Sequence, residues 1–311
     1  MRRLSVSFFS KLCYNLLATP TREWTIFTGE IIMIRIAGAT FSFGDLTLEE
    51  SVEVVREIGF TLVDVGAGWN NYHQILPQEA VEDPEGQAKR LRRVMEEHGL
   101  EISELFIMHF GKPINHPDPE VRQWTRGMFE GMATFAQKAG FESVMMIPGH
   151  VHDDLGQTPQ QAFDTSVKEL RTMAAMAGEK DLQCNIEPCV GSIAEQPADA
   201  IKLVEAVPGL GLTLDYAHQV QLGLSHDEIE VLHPYARHFH AKQSAPGAFQ
   251  ARPDEGTIDF GRIIRKLKAD NYNGVVCVEF VTNPDLLDAG WDFKCETARL
   301  KQILDEALAA G

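Results

Sequence analysis

Four polar residues end short apolar runs in the second half of the sequence: Glu187 in CNIEP, Asp215 in LTLDYAH, His240 in HFHAK and Glu279 in VCVEF. Successive side chains of a strand point to opposite faces. The neighbours Ile186, Leu214, Phe239 and Val278 would therefore face packing helices while each polar residue faces the other way. If the four runs are neighbouring strands, three carboxylates and one imidazole converge at one strand-end face, an oxygen-rich set with one nitrogen that suits Mn, Mg or Co, with Zn also acceptable. His218, three residues after Asp215, brings a second imidazole near the same rim. Taken singly, each residue has a bland alternative: a strand-end carboxylate often caps the next helix, and a lone histidine is more often structural. Together, at four consecutive strand ends, they point to a metal-dependent enzyme.

The elements that must position these residues alternate along the chain from Met33 onward. Apolar runs predict strands near 34–39, 61–65, 102–108, 143–147, 183–187, 211–215, 236–240 and 275–280. Amphipathic stretches predict helices near 47–59, 85–98, 118–139, 159–179, 197–206, 225–232, 259–269 and 291–309. Punctuation agrees: Gly59, Gly99 and Gly140 follow helices, and Thr47 with Glu50 forms a capping box. Eight β/α pairs over this length match a (β/α)8 TIM barrel, an α/β fold whose sites lie at the C-terminal strand ends; a doubly wound open sheet is the structural rival. The separations of 28, 25 and 39 residues between the four polar positions are one β/α unit each, the last enlarged by a loop over 244–258 that could act as a lid.

Composition bounds the function. The chain has 311 residues, 44% of them hydrophobic, enough for one barrel-sized core. A net charge of −17 and a pI near 5.0 argue against nucleic-acid and anionic-membrane partners and favour small neutral or weakly charged substrates. Five cysteines without CxxC spacing suggest reduced thiols in a cytoplasmic protein, with Cys184 and Cys277 read as small core hydrophobes. Residues 1–32 read as an N-terminal extension outside the barrel, 33–311. Lys11 cuts the apolar run after Arg2 and Arg3 below the length a signal peptide needs, and no segment reaches the ~18 apolar residues of a membrane span.

Further rim positions carry weaker signals. Trp69, Tyr72 and His73 after the second strand, and His150, His152 and Asp153 after the fourth, either line a sugar pocket or belong to solvated loops. Lys242, two residues beyond His240, would point into the same cavity and contact a substrate oxygen. Met128, Met132, Met145, Met146, Met173 and Met176 read as core filler.

The segments IEP, LDYAH, HFHAK and VEF, followed by DEGTIDF before the seventh helix, resemble the xylose isomerase-like barrel superfamily of sugar isomerases and epimerases, inosose dehydratases and apurinic endonucleases. By that resemblance Glu187, Asp215, His240 and Glu279 would hold one divalent metal, His218 would contact substrate, and Glu187 and Glu279 would also transfer protons. The nuclease branch uses further histidines. Here His109 stands at the third strand, but Ile147 occupies the His-Pro-Gly position and Ala251-Arg252-Pro253 the Asp-Arg-His position. DNA repair is accordingly disfavoured.

The expected chemistry is α-proton removal from a hydroxyketone to give an enediolate. Its collapse yields an epimer or an isomer, or, by β-elimination from a keto sugar, inosose or 3-keto-glycoside, a lyase or dehydratase product. The primary expectation is an isomerase or epimerase acting on a ketose; the alternatives are the lyase and a non-enzymatic sugar-binding subunit. A small carbohydrate is the expected partner, and the chain is expected to form a homo-oligomer.

Overall fold

The computed structural model describes residues 33–68, 74–107 and 112–310. Eight parallel strands pair in sequence order: β1 Arg35–Ala39, β2 Leu62–Ala67, β3 Glu101–Ile107, β4 Ser143–Met146, β5 Gln183–Ile186, β6 Leu210–Asp215, β7 Ala236–Ala241 and β8 Val275–Val278. β8 closes the barrel onto β1, from Arg35 opposite Val275 to Gly38 opposite Val278. The architecture is the expected (β/α)8 TIM barrel, and the closure excludes an open sheet. The expected extension over 1–32 lies outside the described residues, as do Trp69, Tyr72, His73 and His109.

Parallel neighbours require crossovers, which here are helices. The main ones are Leu48–Ile58, Pro84–His98, Pro119–Ala139, Pro159–Gly178, Pro197–Ala206, Phe260–Ala269 and Phe293–Ala309. Local chemistry fixes their ends. Thr47 and Glu50 form the reciprocal capping box, and Gly59 ends the same helix at φ 97°, a left-handed conformation that costs glycine nothing. The crossover after β6 departs from expectation. The expected helix near 225–232 is present, shortened to His226–Glu230, and an unexpected one, Tyr216–Gln221, precedes it because Asp215 caps a helix at once, its Oδ1 accepting from the Ala217 amide at 2.9 Å.

Strand alternation sorts the core into two layers. Ile186, Leu214, Phe239 and Val278 are buried between barrel and helices, together with Met132, Met146, Met173 and Cys184. The barrel interior contains a smaller apolar cluster that includes Phe41, Phe106, Met145 and Cys277. The remaining interior positions are polar. Among the described residues no helix is long and apolar enough to cross a membrane.

Candidate metal centre and active site

Glu187, Asp215, His240 and Glu279 all reach the C-terminal end of the barrel and are at most 3% exposed. Glu187 and Glu279 stand just beyond their strands, yet their amides still pair with neighbouring strands, to the Met146 carbonyl at 3.2 Å and the Ala241 carbonyl at 2.9 Å. The pleat therefore continues to the side chains that matter. His240 Nδ1 lies 3.4 Å from Glu187 Oε1 and 3.1 Å from Glu279 Oε2. His218 Nε2 lies 3.6 Å from Glu187 Oε2 and 3.7 Å from Asp215 Oδ2. One ligand atom from each of Glu187, His240 and Glu279, and separately from Glu187, Asp215 and His218, fall within 4.8 Å of one another, spacings that suit a shared cation.

Lys242 is 1% exposed and its Nζ donates to Asp215 Oδ2 and, at 2.9 Å, to Glu279 Oε2. The expectation that it enters the cavity agrees with this placement. Asp215 and Glu279 thus share one ammonium and Glu187 lies near it, three buried carboxylates whose negative charge a divalent cation would offset. The carboxylates differ in acidity. Burial pushes Glu187 up, but the His218 and His240 imidazoles outweigh it and hold the group well below the usual carboxylate range. Burial also opposes ionisation of Glu279, where Lys242 and His240 prevail and lower it. At Asp215 burial, helped by the charges of Glu279 and Glu187, outweighs Lys242 and His218 and raises the carboxyl. Burial lowers His240, but Glu279, Asp64 and Glu187 raise it well above the ordinary imidazole value.

Beneath these groups lies a polar layer that sequence reading missed: Asp64 on β2, Glu104 on β3 and His238 on β7, all at most 3% exposed. The β2–β3 register shifts between Val63 and Val65, and there both the Ser103 hydroxyl and the Glu104 amide donate to Asp64 Oδ1. Asp64 Oδ2 is 2.6 Å from His238 Nε2. Glu104 accepts from Thr213 on Oε1 and from Ser143 and Asn185 on Oε2, at 2.7–2.8 Å. Gly211 makes room for this layer, since a Cβ there would stand 2.7 Å from Asn185 Oδ1. The usable signal was parity: Asp64 and His238 sit an even number of residues from the inward-facing Leu62 and His240.

Other expected site residues fare differently. His150 is exposed and packs at a tilt on buried His152, ring centroids 4.1 Å apart, and His152 packs against His116. This histidine group packs on itself, with Asn115 reaching His152 Nε2 and the His150 carbonyl. The loop over 244–258 is clasped. Gln243 accepts from the Ser244 and Ile258 amides and donates to the Ile258 carbonyl, while Gln250 makes a two-bond amide pair with the Val281 backbone. The clasp holds Phe249, another residue missed in the sequence, with its ring 4.7 Å from the His218 ring and 4.5 Å from Lys242 Nζ.

Comparison with known proteins agrees with this architecture. A D-tagatose 3-epimerase-like protein superposes with a TM-score of 0.73 at 18% identity, over 89% of this chain and 98% of its own. D-psicose 3-epimerase from Clostridium cellulolyticum H10 gives 0.71 at 14%, over 88% and 99%. The 3-keto-D-glucoside 4-epimerase from E. coli gives 0.66 at 17%, over 87% and 100%. At these identities the likeness is one of fold. No curated protein sequence matches the chain significantly. The sequence profile of one family does match, over residues 52–297. The chain belongs to the xylose isomerase-like TIM barrel family.

Proposed function

We propose that this chain is a divalent-metal-dependent isomerase or epimerase acting on a ketose or related hydroxyketone. The observation that carries the reading is the approach of two carboxylates, Glu187 beyond β5 and Glu279 beyond β8, to the same His240 nitrogen at 3.4 and 3.1 Å. Two strands lie between theirs in the barrel, so the two groups flank one volume from different sides. Glu187, Asp215, His240 and Glu279 hold the cation, with Mn, Mg or Co as the best match to the donor set and Zn also acceptable. When bound, that ion polarises a substrate carbonyl and offsets negative charge developing beside it.

The chain's own groups do the rest. Glu187, kept ionised by His218 and His240, is suited to accept a proton from the carbon next to the carbonyl. Glu279 faces the substrate from another side and, 2.9 Å from the Lys242 ammonium, relays to that side a proton taken from this ammonium. Lys242 and His218 orient substrate oxygens, and Phe249 covers the site with an apolar face. A β-eliminating lyase is the second reading. It is favoured by His218 Nε2, 3.6 Å from Glu187 Oε2, which sets a proton donor for a leaving group next to the base.

The test begins with elemental analysis of the purified protein. Ketoses, inososes and 3-keto-glycosides are then screened in deuterated water by mass spectrometry. A product of unchanged mass apart from solvent deuterium supports the isomerase or epimerase. Release of water or an aglycone supports the lyase, and absence of both metal and turnover rejects an enzyme. Light scattering on the same preparation measures the proposed homo-oligomer.

A further inference from the structure

His240 connects the two polar layers, and its two ring nitrogens face different partners. Nδ1 faces Glu187 and Glu279, whereas Nε2 is buried without a hydrogen-bond partner, 3.6 Å from Asp64 Oδ2 and 3.8 Å from Glu104 Oε1. Phe41, Phe106 and His238 surround the ring, with centroids 5.6–6.0 Å away, and restrict its swing. Both groups facing Nε2 are acceptors. A proton on Nε2 satisfies the otherwise costly buried nitrogen; Nδ1 also faces carboxylates and loses its proton only when a cation binds among them, so the proton the ring then keeps is the one on Nε2. Asp64 is the nearer of the two. A ring shift of under ~1 Å brings it to hydrogen-bond distance.

Taking His240 as a metal ligand, as in the reading above, we propose that Asp64 is its positioning residue: its carboxylate holds Nε2–H and so fixes the tautomer and orientation that present Nδ1 to the cation. Ligating histidines are commonly oriented by such an outer carboxylate, whose loss weakens metal binding about 10–100-fold. Within the LVDVGA segment parity with Leu62 places Asp64 in the barrel interior but does not name its partner. It reaches His240 only because β2 and β7 line one interior.

The test is cobalt(II) titration of the metal-stripped full-length protein, followed by calorimetry and by the visible spectrum of the bound ion, with thermal melts in parallel. Asp64→Asn, nearly isosteric, is expected to weaken cobalt binding at least tenfold. His238→Gln removes the other partner of Asp64 Oδ2 but leaves the carboxylate free to turn to His240, so it is expected to lose less than tenfold. A merely structural role for Asp64 would move affinity in both variants together with their melting temperatures. Less than a tenfold loss in Asp64→Asn overturns the proposal while leaving the metal reading intact. Wild-type protein that binds no cobalt overturns both. Should Asp64→Asn fail to fold, nitrogen-15 NMR of the zinc-loaded wild-type protein decides: a slowly exchanging, hydrogen-bonded proton on His240 Nε2 upholds the proposal, and its absence rejects it.

Discussion

The two polar layers of the barrel use the same residue types under opposite conditions. In the lower layer each carboxylate oxygen of Asp64 and Glu104 meets at least one close donor, from Ser103, His238, Thr213, Ser143 or Asn185. In the upper layer Glu187, Asp215 and Glu279 compete for Lys242 and the imidazoles of His218 and His240. A satisfied network fixes a shape, whereas an undersupplied one retains affinity for whatever brings positive charge. Buried charge alone does not mark a site; the balance of donors against acceptors does.

The sharpest way to break the comparison is to remove a ligand from the upper layer. Asp215→Ala or His240→Ala should strip the metal and abolish activity while the fold survives, because an oxygen-rich site with three ligands binds weakly. Elemental analysis and circular dichroism check both halves of that statement. Full activity in either variant, or in metal-free protein, would sink the assignment. Next in size are Glu187→Gln and Glu279→Gln. An amide oxygen still coordinates but cannot exchange the proton, so turnover of a verified substrate should fall about 10² or more with metal content largely kept. Wild-type rates in both would remove the two-glutamate mechanism.

The lower layer should respond in stability. Glu104→Ala orphans the Ser143, Asn185 and Thr213 donors and should cost about 3 kcal/mol or more in urea denaturation. Metal loss without destabilisation would show the two layers to be one. The smallest effect belongs outside both. Thr158 caps the helix Pro159–Gly178 through a capping box with Gln161, and Thr158→Ala should cost about 1 kcal/mol and leave catalysis unchanged.

The upper layer was legible in the sequence because its residues end apolar runs, where a polar side chain interrupts a pattern. All eight strands were legible for the same reason of periodicity, to within two residues at each end. Asp64, Glu104 and His238 were not, since they lie inside strands and each depends on partners from other strands, up to 174 residues away. A single polar residue within a strand gives no sign that its partner exists. Phe249 was hidden differently: a loop aromatic has no period, and its place depends on the Gln243 and Gln250 bonds. The loop's length suggested a moving cover. Its backbone is tied at both ends by two side-chain amides that look unremarkable in sequence.

Closure of β8 onto β1 has a consequence for synthesis. The ribosome delivers Asp64 and Glu104 early, but His238 and Thr213 arrive only after more than half of the chain is made, and Glu279 later still. Until then Asp64 lacks His238 and Glu104 lacks Thr213, so each carboxylate destined for the interior has donors for only one of its oxygens. Collapse of the first half is thereby discouraged, and the barrel must close late and as one event, through contacts distant in sequence that are slow to form. Any cation that binds at the strand ends rewards only that final state, so its supply should change the yield of finished barrels more than the speed at which they begin to form.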